Sequence, residues 1–339
     1  MRLLKNSIKN IAVLGAGSWG STIACHLFKK GYGLRLWDKP DQIRWIRKTG
    51  HCQKIKELLI PSGIKLSKSL EETLTGADLV VLAIPSQAMR EVCRKVAVLT
   101  KGGYFVSLVK GIENGTLRRM SEVIFQEIRG AQVTVISGPS HAEEVFRGLP
   151  TAVVASGQDS SMVKLVQNIL GQERFRVYIN PDIIGVEVAG SLKNIIAIAC
   201  GVSDGLGLGD NTKAALMTRG LGEISRLGLA MGAKLSTFAG LAGVGDLIAT
   251  CTSFHSRNRN LGEALARGKS LEEALKELGM VAEGVPTTKS ALKLGEKFGV
   301  ELPITSEVYA ILFRKKSTAR AVEDLLSRRV TTEWPEESR

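Results

Sequence analysis

Asn10-Ile11-Ala12-Val13-Leu14-Gly15-Ala16-Gly17-Ser18-Trp19-Gly20 decides the reading of this chain. A short apolar run ending in G-x-G-x-x-G is a strand, a tight turn and a helix start, the arrangement that holds a dinucleotide pyrophosphate. Gly15 supplies the turn, Gly17 lets the phosphates approach the main chain, and Gly20 lets the helix pack close to the strand. The helix predicted over Ser21 to Lys30 offers unpaired N–H groups and the positive end of its dipole to those phosphates.

Leu34-Arg35-Leu36-Trp37 follows as a second strand. Asp38 at its end lies about 20 residues past the motif, where an acidic ribose contact belongs. Residues 77–84 form a continuous apolar run stopped by Pro85-Ser86, which suits a parallel strand covered on both faces. Residues 104–109, 133–137 and 151–155 add further strands. Repeated strand–helix units predict a Rossmann-type, doubly wound parallel sheet, with every polar turn facing one crevice at the strands' carboxyl ends. Asn180-Pro181-Asp182 then supplies a helix start, with Asn180 as N-cap, Pro181 at the first helical position and Asp182 in the first turn. That helix runs to Gly201, and helical patterns continue over 213–227, 261–267, 271–278, 287–298 and 306–313. The expected fold is therefore α/β followed by all-α: a dinucleotide-binding domain over 1–180 and an all-helical substrate-binding and catalytic domain over 181–339, ending in a loose polar tail from Thr331.

With 339 residues, two domains each have room for a core. Lys and Arg total 46 against 33 Asp and Glu, a net charge of +13 that suits anionic ligands, nucleic acid or an acidic membrane surface. Aromatic content of 5% and the lack of an arginine-rich arm argue against a nucleic-acid stacking platform. Five cysteines without a C-x-x-C pair predict free thiols in a reducing compartment. Four scattered histidines predict no metal. Arg2, Lys5 and Lys9 before an apolar stretch mimic a signal peptide, but the glycine motif interrupts it early, and no run is expected to approach the length of a membrane span. The expected setting is cytoplasmic, without membrane insertion.

Gly268-Lys269-Ser270 imitates the end of a P-loop, but Glu263 stands where the earlier glycine is required. Gly205-Leu206-Gly207-Leu208-Gly209 follows a helix and is an inter-helix loop. Four denser polar clusters remain. Lys110-Gly111-Ile112-Glu113 and Gly138-Pro139-Ser140-His141-Ala142 each follow a strand and so enter the crevice. Lys193-Asn194 interrupts an apolar helix, where an unpaired ammonium is costly and needs a partner or a task. The last cluster joins Gly245 to Thr250 with Ser256-Arg257-Asn258-Arg259.

Taken in order, G-x-G-S-W-G, K-G-I-E, G-P-S-x-A-x-E-V, L-K-N, G-D-L-x-x-T-C, S-R-N-R and V-A-E-G-V resemble the NAD(P)-dependent glycerol-3-phosphate dehydrogenases of the soluble, bacterial type, over nearly the whole chain. The resemblance implies reversible reduction of dihydroxyacetone phosphate to sn-glycerol 3-phosphate, supplying glycerophospholipid synthesis, in a possible homodimer. It makes Lys193 the catalytic acid–base, with Lys110 and Asp246 beside it and Gly138, Ser140, Thr250, Ser256, Arg257 and Asn258 as further substrate contacts. It also implies NAD or NADP held by Gly15, Gly17, Ser18, Trp19, Gly20, Lys39, Lys110, Ala142, Arg257, Val281 and Glu283. Chemically, Lys110 should lower the pKa of Lys193 by like-charge repulsion, Asp246 and Asn194 should hold its amine, and Arg257 with Asn258 should meet the substrate phosphate. In the cofactor-selecting turn the family often carries His or Arg, whereas this chain has Asp38-Lys39-Pro40. Asp38 suits a free ribose 2′-hydroxyl and repels a 2′-phosphate, a repulsion that Lys39 and Arg35 could offset.

Overall fold

The computed structural model describes residues 8–330 and Thr332, so the signal-like Arg2 and Lys5 and most of the polar tail lie outside the described residues. Eight strands form one sheet in the order β3-β2-β1-β4-β5-β6-β7-β8. They are β1 (Asn10–Leu14), β2 (Gly33–Trp37), β3 (Lys65–Ser67), β4 (Leu79–Leu82), β5 (Gly103–Ser107), β6 (Ala131–Ser137), β7 (Thr151–Gly157) and β8 (Phe175–Ile179). The strand period of two divides the apolar residues between two cores. Ile11, Val13, Leu34, Leu36, Leu79 and Val81 pack on one face. Ala12, Leu14, Val80, Leu82, Phe105 and Val133 pack on the other. Helices cover both faces, which is why β4 is buried along its whole length.

The order reverses direction at β1, between β2 and β4, and the crevice at such a switch point is where a ligand binds in sheets of this kind. One expectation fails further along. β7 pairs antiparallel with β6 and parallel with β8, so the sheet is not wholly parallel. The turn after β7 therefore faces away from the crevice used by β1, β4, β5 and β6.

The helical half is built around Ile183–Gly205, a helix of 23 residues buried almost continuously from Gly185 to Ser203. Its N-cap is Asp182 rather than Asn180: the Asp182 carboxylate accepts from Gly185 N–H at 2.9 Å, while Asn180 accepts from Asp182 N–H at 2.9 Å and shapes the turn ahead of it. Pro181 thus precedes the helix. The expectation of no membrane-length run is also corrected, because this helix, with mean hydropathy 1.7, and the stretch Leu235–Thr252, at 1.3, are long and apolar enough to cross a membrane. The first is 89% buried in protein, so its hydropathy reflects a core position. Helices Gly209–Ala230, Arg257–Ala266, Gly284–Phe298 and Pro303–Phe313 wrap it, and a third core joins Ile195, Ile196, Leu227, Phe238, Leu261 and Val308.

Helix Arg257–Ala266 lies almost in backbone contact with the central helix. A Cβ at Gly201 would fall 1.9 Å from the Arg259 carbonyl oxygen, and one at Gly262 would fall 2.0 Å from that of Ile198. The two false phosphate motifs also resolve. Ser270 caps helix Leu271–Leu278 in a capping box with Glu273, and Gly205 and Gly209 are helix ends flanking a short loop.

Candidate active site

At the switch point the glycine turn has the form its residues predict. Gly15 adopts φ +112°, and a side chain there would strike the Ala83 carbonyl at 2.4 Å. A Cβ at Gly20 would lie 1.8 Å from the Gly15 carbonyl oxygen, whereas one at Gly17 would meet nothing within 4 Å. The open side of Gly17 is the approach a pyrophosphate needs. Helix Ser18–Lys29 begins there with no side-chain cap and no acid in its first turn, which leaves its N–H groups and dipole for an anion. These features fit a dinucleotide. Asp38, at the end of β2, accepts from Ala16 N–H and Lys39 N–H, both at 2.6 Å.

The expected cofactor contacts do not all converge equally. Ser18 reaches the Met280 sulfur at 3.8 Å, drawing the segment before Val281 over the glycine turn. Glu283 accepts from both the backbone and the hydroxyl of Ser86 at the end of β4. Burial pushes its carboxyl pKa up, against those hydrogen bonds. Arg257 donates to the Val281 carbonyl at 3.0 Å. Lys39 is exposed beside Asp38, and Ala142 is buried at the start of helix Ala142–Phe146. Trp19 packs on Phe175, ring centroids 6.4 Å apart, so one of its faces belongs to the core.

Across the crevice, Lys110, Lys193 and Asp246 meet. Lys193 Nζ lies 2.5 Å from Asp246 Oδ1 and 2.5 Å from Thr250 Oγ1. Lys110 Nζ donates to Asp246 Oδ2 at 2.7 Å and to the Gly138 carbonyl at 3.0 Å. Gly138 can expose that carbonyl because it turns with φ +119°. Ser140 donates to the same carbonyl at 2.9 Å. Asp246 is 1% exposed and Lys193 5%, so both charges are out of water. Burial lowers the Lys193 pKa to about 8, with Lys110 pulling the same way and Asp246 opposing. Like-charge repulsion therefore contributes as expected, but desolvation is the larger cause. Burial alone would raise the Asp246 carboxyl, and the two lysines together hold it below its ordinary value.

Ser256 caps helix Arg257–Ala266 by accepting from Arg259 N–H at 3.3 Å, which brings Arg257 and Asn258 to the helix's positive end. Asn194 does not hold the lysine amine. Its side-chain oxygen accepts from Asn258 Nδ2 at 2.9 Å, and Asn258 Oδ1 accepts from Gly284 N–H at 2.9 Å. The sequence reading passed over Ser86, Met280 and the Asn194–Asn258 pair. Ser86 had a usable signal, since a polar residue at the carboxyl end of the strand beside β1 faces the switch-point crevice. Among the described residues, no group of three His, Cys, Asp or Glu could hold a metal ion.

The chain matches the family model of the NAD-dependent glycerol-3-phosphate dehydrogenase N-terminus over residues 10–163 and that of the C-terminus over 182–323. It is 54% identical to glycerol-3-phosphate dehydrogenase [NAD(P)+] of Thermoanaerobacter sp. (strain X514), covering 94% of this chain and 97% of the relative. It is 49% identical to the same-named protein of Pelotomaculum thermopropionicum, covering 96% and 95%. The crystal structure of glycerol-3-phosphate dehydrogenase from Coxiella burnetii superposes with a TM-score of 0.92 at 40% identity, over 95% of this chain and 100% of that one. The glycine turn, the buried lysine–aspartate cluster and these matches agree: the chain belongs to the NAD-dependent glycerol-3-phosphate dehydrogenase family.

Proposed function

We propose that this chain interconverts dihydroxyacetone phosphate and sn-glycerol 3-phosphate with NADH or NADPH, with Lys193 as the general acid–base. The observation that carries the reading is a cluster of two ammonium groups on one buried carboxylate, with Lys193 buried and Lys110 half-buried. In this reading residues 1–180 hold the dinucleotide and 181–339 hold the substrate, with Lys110 reaching across. It includes a cytoplasmic homodimer whose product feeds glycerophospholipid synthesis, with no nucleic-acid partner.

The bound nicotinamide supplies the hydride. As negative charge grows on the ketone oxygen, Lys193 donates a proton to it. An ammonium has three N–H donors, and Asp246 and Thr250 take two of them, leaving one for substrate. Lys110 is likewise held through two donors with one left. The cluster keeps one excess positive charge, which favours a phosphorylated substrate. Arg257 supplies planar donors for the phosphate, and energy from that remote contact can orient the ketone.

Two results test this reading. Arg257→Ala should lower kcat/KM for dihydroxyacetone phosphate by about 10–100-fold, mainly through KM, from the loss of charged hydrogen bonds. Dihydroxyacetone without its phosphate should react poorly with either protein. If wild type turns over dihydroxyacetone as well as its phosphate, the phosphate contact does not orient the ketone and the role of Arg257 falls. The second test is pH. Reduction needs the protonated lysine, so its kcat/KM should fall as pH rises through about 8. Oxidation of sn-glycerol 3-phosphate needs the neutral lysine and should rise across the same interval. Flat profiles in both directions would remove Lys193 from proton transfer.

A further inference from the structure

We propose that Asp38 makes this protein selective for NADH over NADPH, an inference that rests on the dinucleotide reading of the glycine turn and goes beyond it. The Asp38 carboxylate is fixed by two short hydrogen bonds, one to Ala16 within the turn and one to Lys39, both at 2.6 Å. Those bonds leave lone pairs on both oxygens, so the group can still accept from a ribose 2′-hydroxyl. A 2′-phosphate in the same place would meet a fixed negative charge.

Of the two compensating cations that sequence suggested, Arg35 is engaged elsewhere, as are the arginines of helix Pro40–Thr49. Arg35 donates to the Thr75 carbonyl, at the end of helix Leu70–Leu74. Arg44 pairs with Asp41, and Arg47 donates to the Leu66 carbonyl at 2.8 Å. Helix Pro40–Thr49 starts just beyond the turn, but Pro40 has no N–H to offer there. Lys39 remains, exposed, and part of its field falls on Glu91, whose pKa it helps to lower after the Lys95 contacts. A flexible exposed ammonium is a weak substitute for the arginine fork that recognises a 2′-phosphate.

The test is binding, measured apart from turnover. Wild type and the Asp38→Asn and Asp38→Ser proteins are titrated with NADH and with NADPH by calorimetry, without substrate. Wild type should bind NADH at least about tenfold more tightly, a difference of about 1.4 kcal/mol. Both variants should bring the two affinities close together, with NADPH gaining. Equal affinities in wild type, or an unchanged ratio in variants that fold, would overturn the assignment. Should a variant fail to fold, the wild-type ratio still decides. Binding of neither dinucleotide would sink the cofactor reading itself, whereas tight binding of both at equal strength would sink only the role of Asp38.

Discussion

Lys193→Met is expected to lower kcat for dihydroxyacetone phosphate reduction by about 10²–10⁴-fold, the range for loss of a positioned general acid. Methionine has nearly the length of lysine and no proton to give. The site is 5% exposed, and methionine brings no charge to be buried there. Asp246 keeps Lys110 at 2.7 Å and is not left as an uncompensated buried charge. The variant should therefore fold, bind dinucleotide and fail at chemistry. Single-turnover reduction monitored through NADH absorbance, beside a calorimetric titration with NADH, separates these terms. Activity within a few-fold of wild type would transfer the acid's role to Lys110.

Asp246→Asn should be nearly as damaging to activity and worse for the fold. Its carboxylate is the shared counter-ion of both lysines, at 2.5 and 2.7 Å, and is 1% exposed. An amide keeps the shape but can accept through only one end, so its NH₂ group must face one ammonium. Removing one member of a buried ion pair costs about 3–5 kcal/mol. Part of that cost can be relieved if Lys193 loses its proton. The expected result is a lower melting temperature, a fall in kcat on the order of 10²-fold, and a reduction profile whose high-pH limb moves below the wild-type position near 8. An unchanged high-pH limb would show that Asp246 does not set the Lys193 proton affinity.

Most of the cofactor half was legible in the chain because its signals are local. A glycine turn, an apolar strand and an acidic residue at the next strand's end each have their own spacing. β3 was not legible, since Lys65–Ser67 is three residues long and gives periodicity nothing to work on. β8 lies at the sheet edge with only Phe175 and Val177 buried, so its alternation is faint. The direction of β7 is not written in β7 at all. It depends on how the connection 138–150, with its short helix Ala142–Phe146, returns the chain. Lys193 stood out because a charge in an apolar helix is conspicuous. Asn194 was misjudged because adjacent helical residues do not face the same point. Its partner Asn258 is distant in sequence, and only the close seam between the two helices brings the amides together.

That seam has a consequence for how the protein is made. The central helix ends at Gly205, but its glycine-matched neighbour is not complete until Ala266, and the later wrapping helices end only at Phe313. Translation proceeds at about 5–20 residues per second. A membrane-length apolar helix therefore waits several seconds on the ribosome before most of the residues that cover it exist. The sheet can fold in that interval and cover the start of the helix, where Val186 and Glu187 meet it, but the rest cannot yet be buried. Nascent chains halted just after residue 205 should be the aggregation-prone and chaperone-dependent species, and those released past 313 should not.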